Sequence, residues 1–259
     1  MGSAQVQGRL WGAAATDWAR LIEPLMTPLF EAVLDELRIG SETRLLDAGC
    51  GSGLALQLAH KREATVTGLD ASAGLLEVAR ERVPTADLRE GDLEDLPFPD
   101  GAFNAVTAFS SVQYAANPVA ALRELRRVAA PDAEVAVATW APAERCETGV
   151  VLAALGDLLP PSPGAGGPFA LSAPGTLEGL VTAAGLTPGR TGEVPTPFSY
   201  PDLDTAVRAI VASGPARRAV EHAGMEAATE TLRAAFAESR QPDGSYHQNN
   251  AFRYVISTP

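Results

Sequence analysis

The segment LLDAGCGSG, Leu45 to Gly53, constrains this 259-residue chain more than any other. A short apolar run carries an acid, Asp47, passes through glycines at 49, 51 and 53, and gives way at once to LALQLAH. Glycine accepts positive φ and has no Cβ, so the backbone can turn sharply there and approach a ligand closely. The helix that follows presents N–H groups with no partner inside it. Strand, glycine turn and helix make the entry unit of a nucleotide-binding α/β domain. A dinucleotide fingerprint reads G-x-G-x-x-G and aims a helix dipole at a pyrophosphate. Here the pattern is G-x-G-x-G, with Leu54 where the last dinucleotide glycine would stand. An acid at the mouth of the turn suits a ligand with a positive amine better than one with phosphates.

Around this turn, short apolar runs alternate with amphipathic stretches. Strands are expected at 44–48, 65–69, 86–89, 103–109 and 134–140, and helices at 53–61, 73–83 and 118–130. Such alternation argues for a parallel sheet covered on both faces. Asn117 is placed to cap the third helix, and Pro118 suits its first position. Leu122, Leu125, Val128 and Ala129 form its inward stripe, and the Arg126–Arg127 pair reads as a solvated face. Beyond Trp140 the texture becomes rich in Pro, Gly and Ala, and the run at 160–168 reads as loop. A short helix near 149–159, a helix at 176–184, an irregular strand at 186–197, mostly helix over 202–240 and a strand at 252–256 complete the expectation.

Two more acids fall at strand ends. Asp70 closes the second strand in VTGLD, where a carboxylate can accept both hydroxyls of a ribose. Asp92 opens GDLEDLPFPDGAFNAV, placed to accept a bond from an exocyclic adenine amine while Leu93 packs on the ring.

The ordered set LDAGCGSG, GLDAS, GDLEDLPFPDGAFNAV and ELRRVAAPDAEVAVATW resembles the motifs of class I S-adenosylmethionine-dependent methyltransferases. It is most similar to the small-molecule branch containing the ubiquinone and menaquinone biosynthesis enzymes. The resemblance covers about residues 42–140. It implies a Rossmann-like α/β fold, a seven-stranded mostly parallel sheet with helices on both faces and a helical or loop lid. It implies one methyltransferase domain over 1–259: an N-terminal helical arm at 1–40, a cofactor-binding core at 41–140, lid insertions at 141–175 and 199–250, and the last two strands at 186–197 and 251–257. It implies S-adenosylmethionine as cofactor and S-adenosylhomocysteine as product. The cofactor would be held by Asp47, Gly49, Cys50, Gly51, Gly53, Asp70, Ala71, Asp92, Leu93, Phe109 and Ser110. Cys50 itself reads as a small filler of the turn.

In that family the last strand runs antiparallel between the fifth and sixth, so both insertions and the arm leave from the edge that carries the cofactor. They are expected to roof the site, with Trp11, Trp18, Gln113, Tyr114 and Tyr246 toward the acceptor. His247 is the candidate general base. Methyl transfer from a sulfonium demands mainly alignment and exclusion of water, so a strong base is not obligatory.

Composition excludes other classes. With 20 basic and 32 acidic residues the net charge is −12, which repels phosphate backbones and anionic lipid heads. Neither a nucleic-acid nor a membrane partner is expected. Two cysteines are too few for a disulfide framework, no His/Cys/carboxylate spacing suggests a metal, and the N-terminal residues lack a signal-like apolar stretch, so a cytoplasmic location is expected. The expected function is methyl transfer to an O, N or C atom of a small metabolite. The alternatives are a non-methylating reaction on the same cofactor, such as cyclisation, and a non-catalytic cofactor-binding module.

Overall fold

In the computed structural model, which describes residues 3–160 and 167–259, the alternating pattern becomes a seven-stranded sheet. Its strands are β1 (Arg44–Ala48), β2 (Thr65–Asp70), β3 (Asp87–Glu90), β4 (Phe103–Phe109), β5 (Ala129–Trp140), β6 (Thr187–Pro195) and β9 (Ala251–Thr258). Between β6 and β9, β7 (Phe198–Tyr200) and β8 (Tyr246–Gln248) form a separate antiparallel pair. The spatial order is β3-β2-β1-β4-β5-β9-β6, with β9 antiparallel to both β5 and β6 and the other pairings parallel. This is the mostly parallel Rossmann-like sheet that the motifs imply.

Helices cover both faces, which is why the central strands are apolar throughout. Leu46, Val106, Val135 and Val137 face α6 (Pro118–Val128) and α8 (Thr176–Ala183), meeting Leu122, Leu125 and Val181. Leu45, Val66 and Ala136 face the other way, among Leu29, Val33 and Leu34 of α3 (Thr27–Glu36) and Leu56 of α4 (Leu54–His60). Each fully buried leucine contributes about 1.5–3 kcal/mol. The helix α5 (Ala73–Arg82) follows β2, with Ser72 accepting from the Leu75 N–H at 3.2 Å as its cap.

The roof is assembled from α1 (Ala4–Gly12) and α2 (Ala15–Asp17) of the arm, α7 (Thr148–Gly156), α9 (Leu203–Val211), α10 (Gly214–Ala223), α11 (Met225–Ala235) and the β7–β8 pair. The arm helix α1 packs on both α5 and α10, joining core to lid. It lies so close that a Cβ at Gly8 would stand 2.0 Å from the Ala71 carbonyl oxygen.

Several expectations need correction. The strand β3 lies one residue later than 86–89. β5 begins at Ala129, not 134: Pro131 offers no ladder N–H, and the pairing with β4 shifts register across this stretch. Asn117 does cap α6, accepting from Ala120 at 3.1 Å, but the helix ends at Val128. Arg127 is not on a solvated face: it binds Glu124, Asp100 and the carbonyls of Leu96 and Phe98, anchoring the turn before β4. The loop read at 160–168 falls mostly on residues 161–166, outside the described residues. Within the insertion expected at 199–250, Tyr246–Gln248 forms a strand. Among the described residues no helix is long and apolar enough to cross a membrane.

Candidate functional site

A cleft opens above the carboxyl ends of β1, β2 and β4, where ligands of open α/β sheets bind. Its floor is the glycine turn. Gly49 has φ +83°, and a Cβ there would stand 2.3 Å from that of Ser111. The N–H groups of Gly49 and Cys50 both donate to the Leu69 carbonyl, at 2.7 and 3.0 Å, tying the turn to β2. Above Gly51 the space is open until the Glu23 carboxylate and the Trp18 indole nitrogen, 3.6 and 3.9 Å from where a Cβ would be.

Carboxylates ring this floor. Asp70 accepts from the Gly51 N–H and the Ser72 N–H, both at 2.8 Å, one on each oxygen. Each oxygen keeps a second lone pair toward the cleft. Burial, opposed by those N–H bonds, raises its pKa to about 6. Asp47 is fully buried beneath the turn, accepts from Thr107 Oγ1 at 2.8 Å, and is pushed up to about 7 by burial and by the charges of Asp70 and Glu23. Asp92 accepts from the Glu94 N–H at 3.0 Å through one oxygen. Glu23 comes from the arm. It accepts from Ser52 Oγ at 2.5 Å and pairs with Arg82 of α5, while burial pushes its pKa up. Burial likewise keeps the Cys50 thiol protonated, as suits a filler.

The upper half is apolar. Trp11 and Trp18 meet edge to face at 4.8 Å between centroids, and Trp11 meets Tyr114 at 5.5 Å. Trp140 lies 4.3 Å from Phe252 and 5.8 Å from Phe198. Among them opens Thr148, at the start of α7, whose hydroxyl donates to Gln248 Oε1 at 2.8 Å and accepts from Asn250 Nδ2 at 2.9 Å. Ser110, at φ +48°, lines the cleft with an unpartnered buried hydroxyl.

Of the residues singled out in the sequence, the cleft brings together Trp11, Trp18, Asp47, Gly49, Cys50, Gly51, Asp70, Ala71, Asp92, Leu93, Phe109, Ser110 and Tyr114. Four do not reach its wall. Gly53 takes φ +81° one step beyond it, its Cβ position 3.0 Å from that of Ala79. Gln113 is buried behind Tyr114 in sequence, with no hydrogen-bond partner for its amide. Tyr246 packs on Phe236. His247, the expected base, is turned away because strand side chains alternate: Tyr246 and Gln248 are buried and His247 between them faces out. Its Nδ1 lies 2.9 Å from Ser199 Oγ. The sequence reading passed over Glu23 and Thr148. Glu23 could have been noticed as an acid beside Ile22 and Met26 on an otherwise apolar helical turn; Thr148 carries no local signal.

Comparison with known proteins agrees with this geometry. Residues 46–137 match the family described as "Methyltransferase domain". A malonyl-[acyl-carrier protein] O-methyltransferase of Erwinia pyrifoliae is 31% identical over 210 residues, covering 81% of this chain and 76% of that protein. In the YcgJ protein of Bacillus subtilis the same fold recurs, with a TM-score of 0.60 at 20% identity, covering 88% of this chain and 97% of that one. It recurs also in an S-adenosylmethionine-dependent methyltransferase of Aquifex aeolicus, with a TM-score of 0.54 at 22% identity, covering 70% and 92%.

Proposed function

This chain belongs to the class I S-adenosylmethionine-dependent methyltransferases, with S-adenosylmethionine as methyl donor, and on that premise we propose how its cleft divides between donor and acceptor. The observation that carries the proposal is the continuity of one cavity from a glycine-and-carboxylate floor to an aromatic chamber. The floor suits the cofactor. Asp70 offers free lone pairs to a ribose, Asp92 keeps one oxygen for an adenine amine with Leu93 beside the ring, and Gly49 to Gly51 leave room for the methionine part. Glu23 and Asp47 place negative charge under a ligand that carries a sulfonium and an ammonium group. Bound there, the cofactor supplies a methyl already activated on sulfur. The protein then has to align a nucleophile with it and exclude water. Phe109, Ser110 and Tyr114 form the seam between the halves, and Trp18, Trp140 and Phe198 wall the acceptor side.

The acceptor in this reading is a small molecule. The Erwinia relative is a malonyl-[acyl-carrier protein] O-methyltransferase; an acceptor held by a carrier and a free, quinone-like one are the two forms that this cleft would have to tell apart. His247 takes no part, since it does not line the cleft.

Calorimetric titration with S-adenosylmethionine and S-adenosylhomocysteine tests the division. Both are expected to bind, and Asp70→Ala to weaken both by about a hundredfold, the worth of two charge-assisted hydrogen bonds. A folded protein that binds neither overturns the reading.

A further inference from the structure

Each charged side chain on the cleft wall is an acid. Glu23, Asp47, Asp70 and Asp92 line it, and among the described residues no Lys, Arg or His does. The residues outside the description, 1–2 and 161–166, contain none of these three types either. All four acids sit in the half assigned to the cofactor. The rest of the wall includes Met26, Phe30, Trp140, Leu152, Phe198 and Phe252, with Thr148 among its few polar side chains.

Thr148 does not stand alone. Its neighbours Gln248 and Asn250 are buried, and Asn250 is fixed by accepting from the Thr148 N–H at 3.1 Å while donating to the Thr148 hydroxyl. The Gln248 amide nitrogen, fully buried, has no partner. Neither Gln248 nor Asn250 reaches the cleft wall, so the group an acceptor meets is Thr148 Oγ1, whose proton is given to Gln248 and which keeps one lone pair.

Resting on the donor–acceptor division proposed above, we infer that the acceptor is an uncharged, largely apolar molecule with a hydroxyl directed to Thr148, which the buried Gln248 and Asn250 hold in place, and not a carboxylate. Charge decides against the other classes. An anion entering this chamber loses its water and meets no cationic side chain; the donor's sulfonium is the one positive charge near it, and the acids of the floor already offset that charge, so the cost of desolvation dominates. A cation meets the positive charge of the donor across the seam. A neutral ring or chain loses little and buries apolar surface. The terminal carboxylate that gives the curated relatives' malonyl acceptor its nucleophile has no cationic side chain to hold it here, so this enzyme and those relatives differ in acceptor even though they share the donor site.

The test uses the full chain saturated with S-adenosylhomocysteine and two fluorescent probes of one skeleton: N-phenyl-1-naphthylamine, which is neutral, and 8-anilinonaphthalene-1-sulfonate, which is anionic. The neutral probe is expected to bind stoichiometrically and at least about tenfold more tightly than the anionic one. Leu152→Arg is expected to narrow or reverse that preference by placing a cation on the wall; the wild-type pair stands by itself if that variant fails to fold. Turnover is the second arm, with malonyl-acyl carrier protein and S-adenosylmethionine expected to release no S-adenosylhomocysteine above background. Equal or tighter binding of the sulfonate, no binding of the neutral probe, or turnover of the malonyl carrier would each overturn the inference. Saturation with S-adenosylhomocysteine is checked first by calorimetry, so a failure of the donor site is seen separately from a failure of the acceptor assignment.

Discussion

Beneath the cleft, Gly49, Gly51 and Asp70 meet within two successive strand–helix units. Above it, Trp18, Trp140, Thr148, Phe198 and Ile210 arrive from segments scattered over most of the chain. The floor works through backbone geometry: positive φ at the turn and N–H groups fixed on one carboxylate. The roof works through apolar filling, where side chains of similar volume substitute for one another at modest cost. A floor of this kind tolerates little change and holds one ligand. A roof of this kind is free to vary, and with it the acceptor.

Glu23 is where the two meet, an arm residue bound to Ser52 of the glycine turn and to Arg82 of α5. Removing it leaves Arg82 without its buried partner. Glu23→Ala is therefore expected to destabilise the protein by about 3–5 kcal/mol and to weaken S-adenosylhomocysteine binding at the same time. Chemical denaturation with and without the ligand reads both. Loss of stability with unchanged affinity would separate arm from floor and break the comparison at its joint.

A change confined to the floor should act differently. Gly49→Ala places a side chain at φ +83° and drives its Cβ onto Ser111. The backbone strain alone is about 1–3 kcal/mol, and affinity for S-adenosylhomocysteine is expected to fall more than tenfold. Binding of the neutral naphthylamine probe is expected to survive, since Thr148, Phe198 and Phe252 are untouched. Titration of one variant with both ligands measures the independence of the halves.

The same contrast explains what could be read from the sequence. The turn at 45–53, Asp70, Asp92 and the Asn117 cap are legible because each fulfils a geometric demand that few residue types meet locally. Arg127 escaped because a helix face looks solvated until Asp100 and the Leu96 and Phe98 carbonyls fold against it. Glu23 escaped because its partners lie in other segments. The roof residues were legible as a group, from the order of strands, but not one by one. Tyr246 and His247 show why: both were expected toward the acceptor, but in the short β7–β8 pairing neighbours face opposite sides, and nothing in YHQ announces which.

Protonation sharpens the picture of the floor. The Asp47 carboxyl, held near 7 by burial against 3.8 when exposed, favours the folded state while protonated. That contribution is complete below the unfolded value and is lost as pH rises through about 7, so the ligand-free protein is expected to melt lower at pH 8 than at pH 5 on this account. A positively charged donor reverses the preference by favouring the ionised acid. Its affinity is expected to rise about tenfold, or 1.4 kcal/mol, between pH 6 and pH 8, with a proton released on binding at the lower pH. Calorimetry in buffers of different ionisation enthalpy measures that proton directly. No proton release, with affinity flat over this range, would mean that Asp47 does not feel the donor's charge.

The smallest effect belongs to His247. Its ring bonds to Ser199 on the outer side of β7–β8, while its neighbours Tyr246 and Gln248 turn inward. If the chamber is bounded by the inward-facing side chains, His247→Ala removes hydrogen bonds to Ser199 and Asn249 on the outer side of the strand pair. Stability should change by less than about 0.5 kcal/mol, and the rate of S-adenosylhomocysteine release with any acceptor should stay within about twofold at every pH, as for a surface substitution away from the site. Thr148→Val, by contrast, cuts the hydroxyl out of the buried network while keeping the shape of the wall, and leaves Gln248 Oε1 without its donor and Asn250 Nδ2 with only the Gln248 carbonyl at 3.4 Å. It should lower acceptor binding and spare the donor. A large loss of rate in His247→Ala together with none in Thr148→Val would move the polar end of the chamber to the β7–β8 strands, and the assignment of the acceptor's oxygen with it.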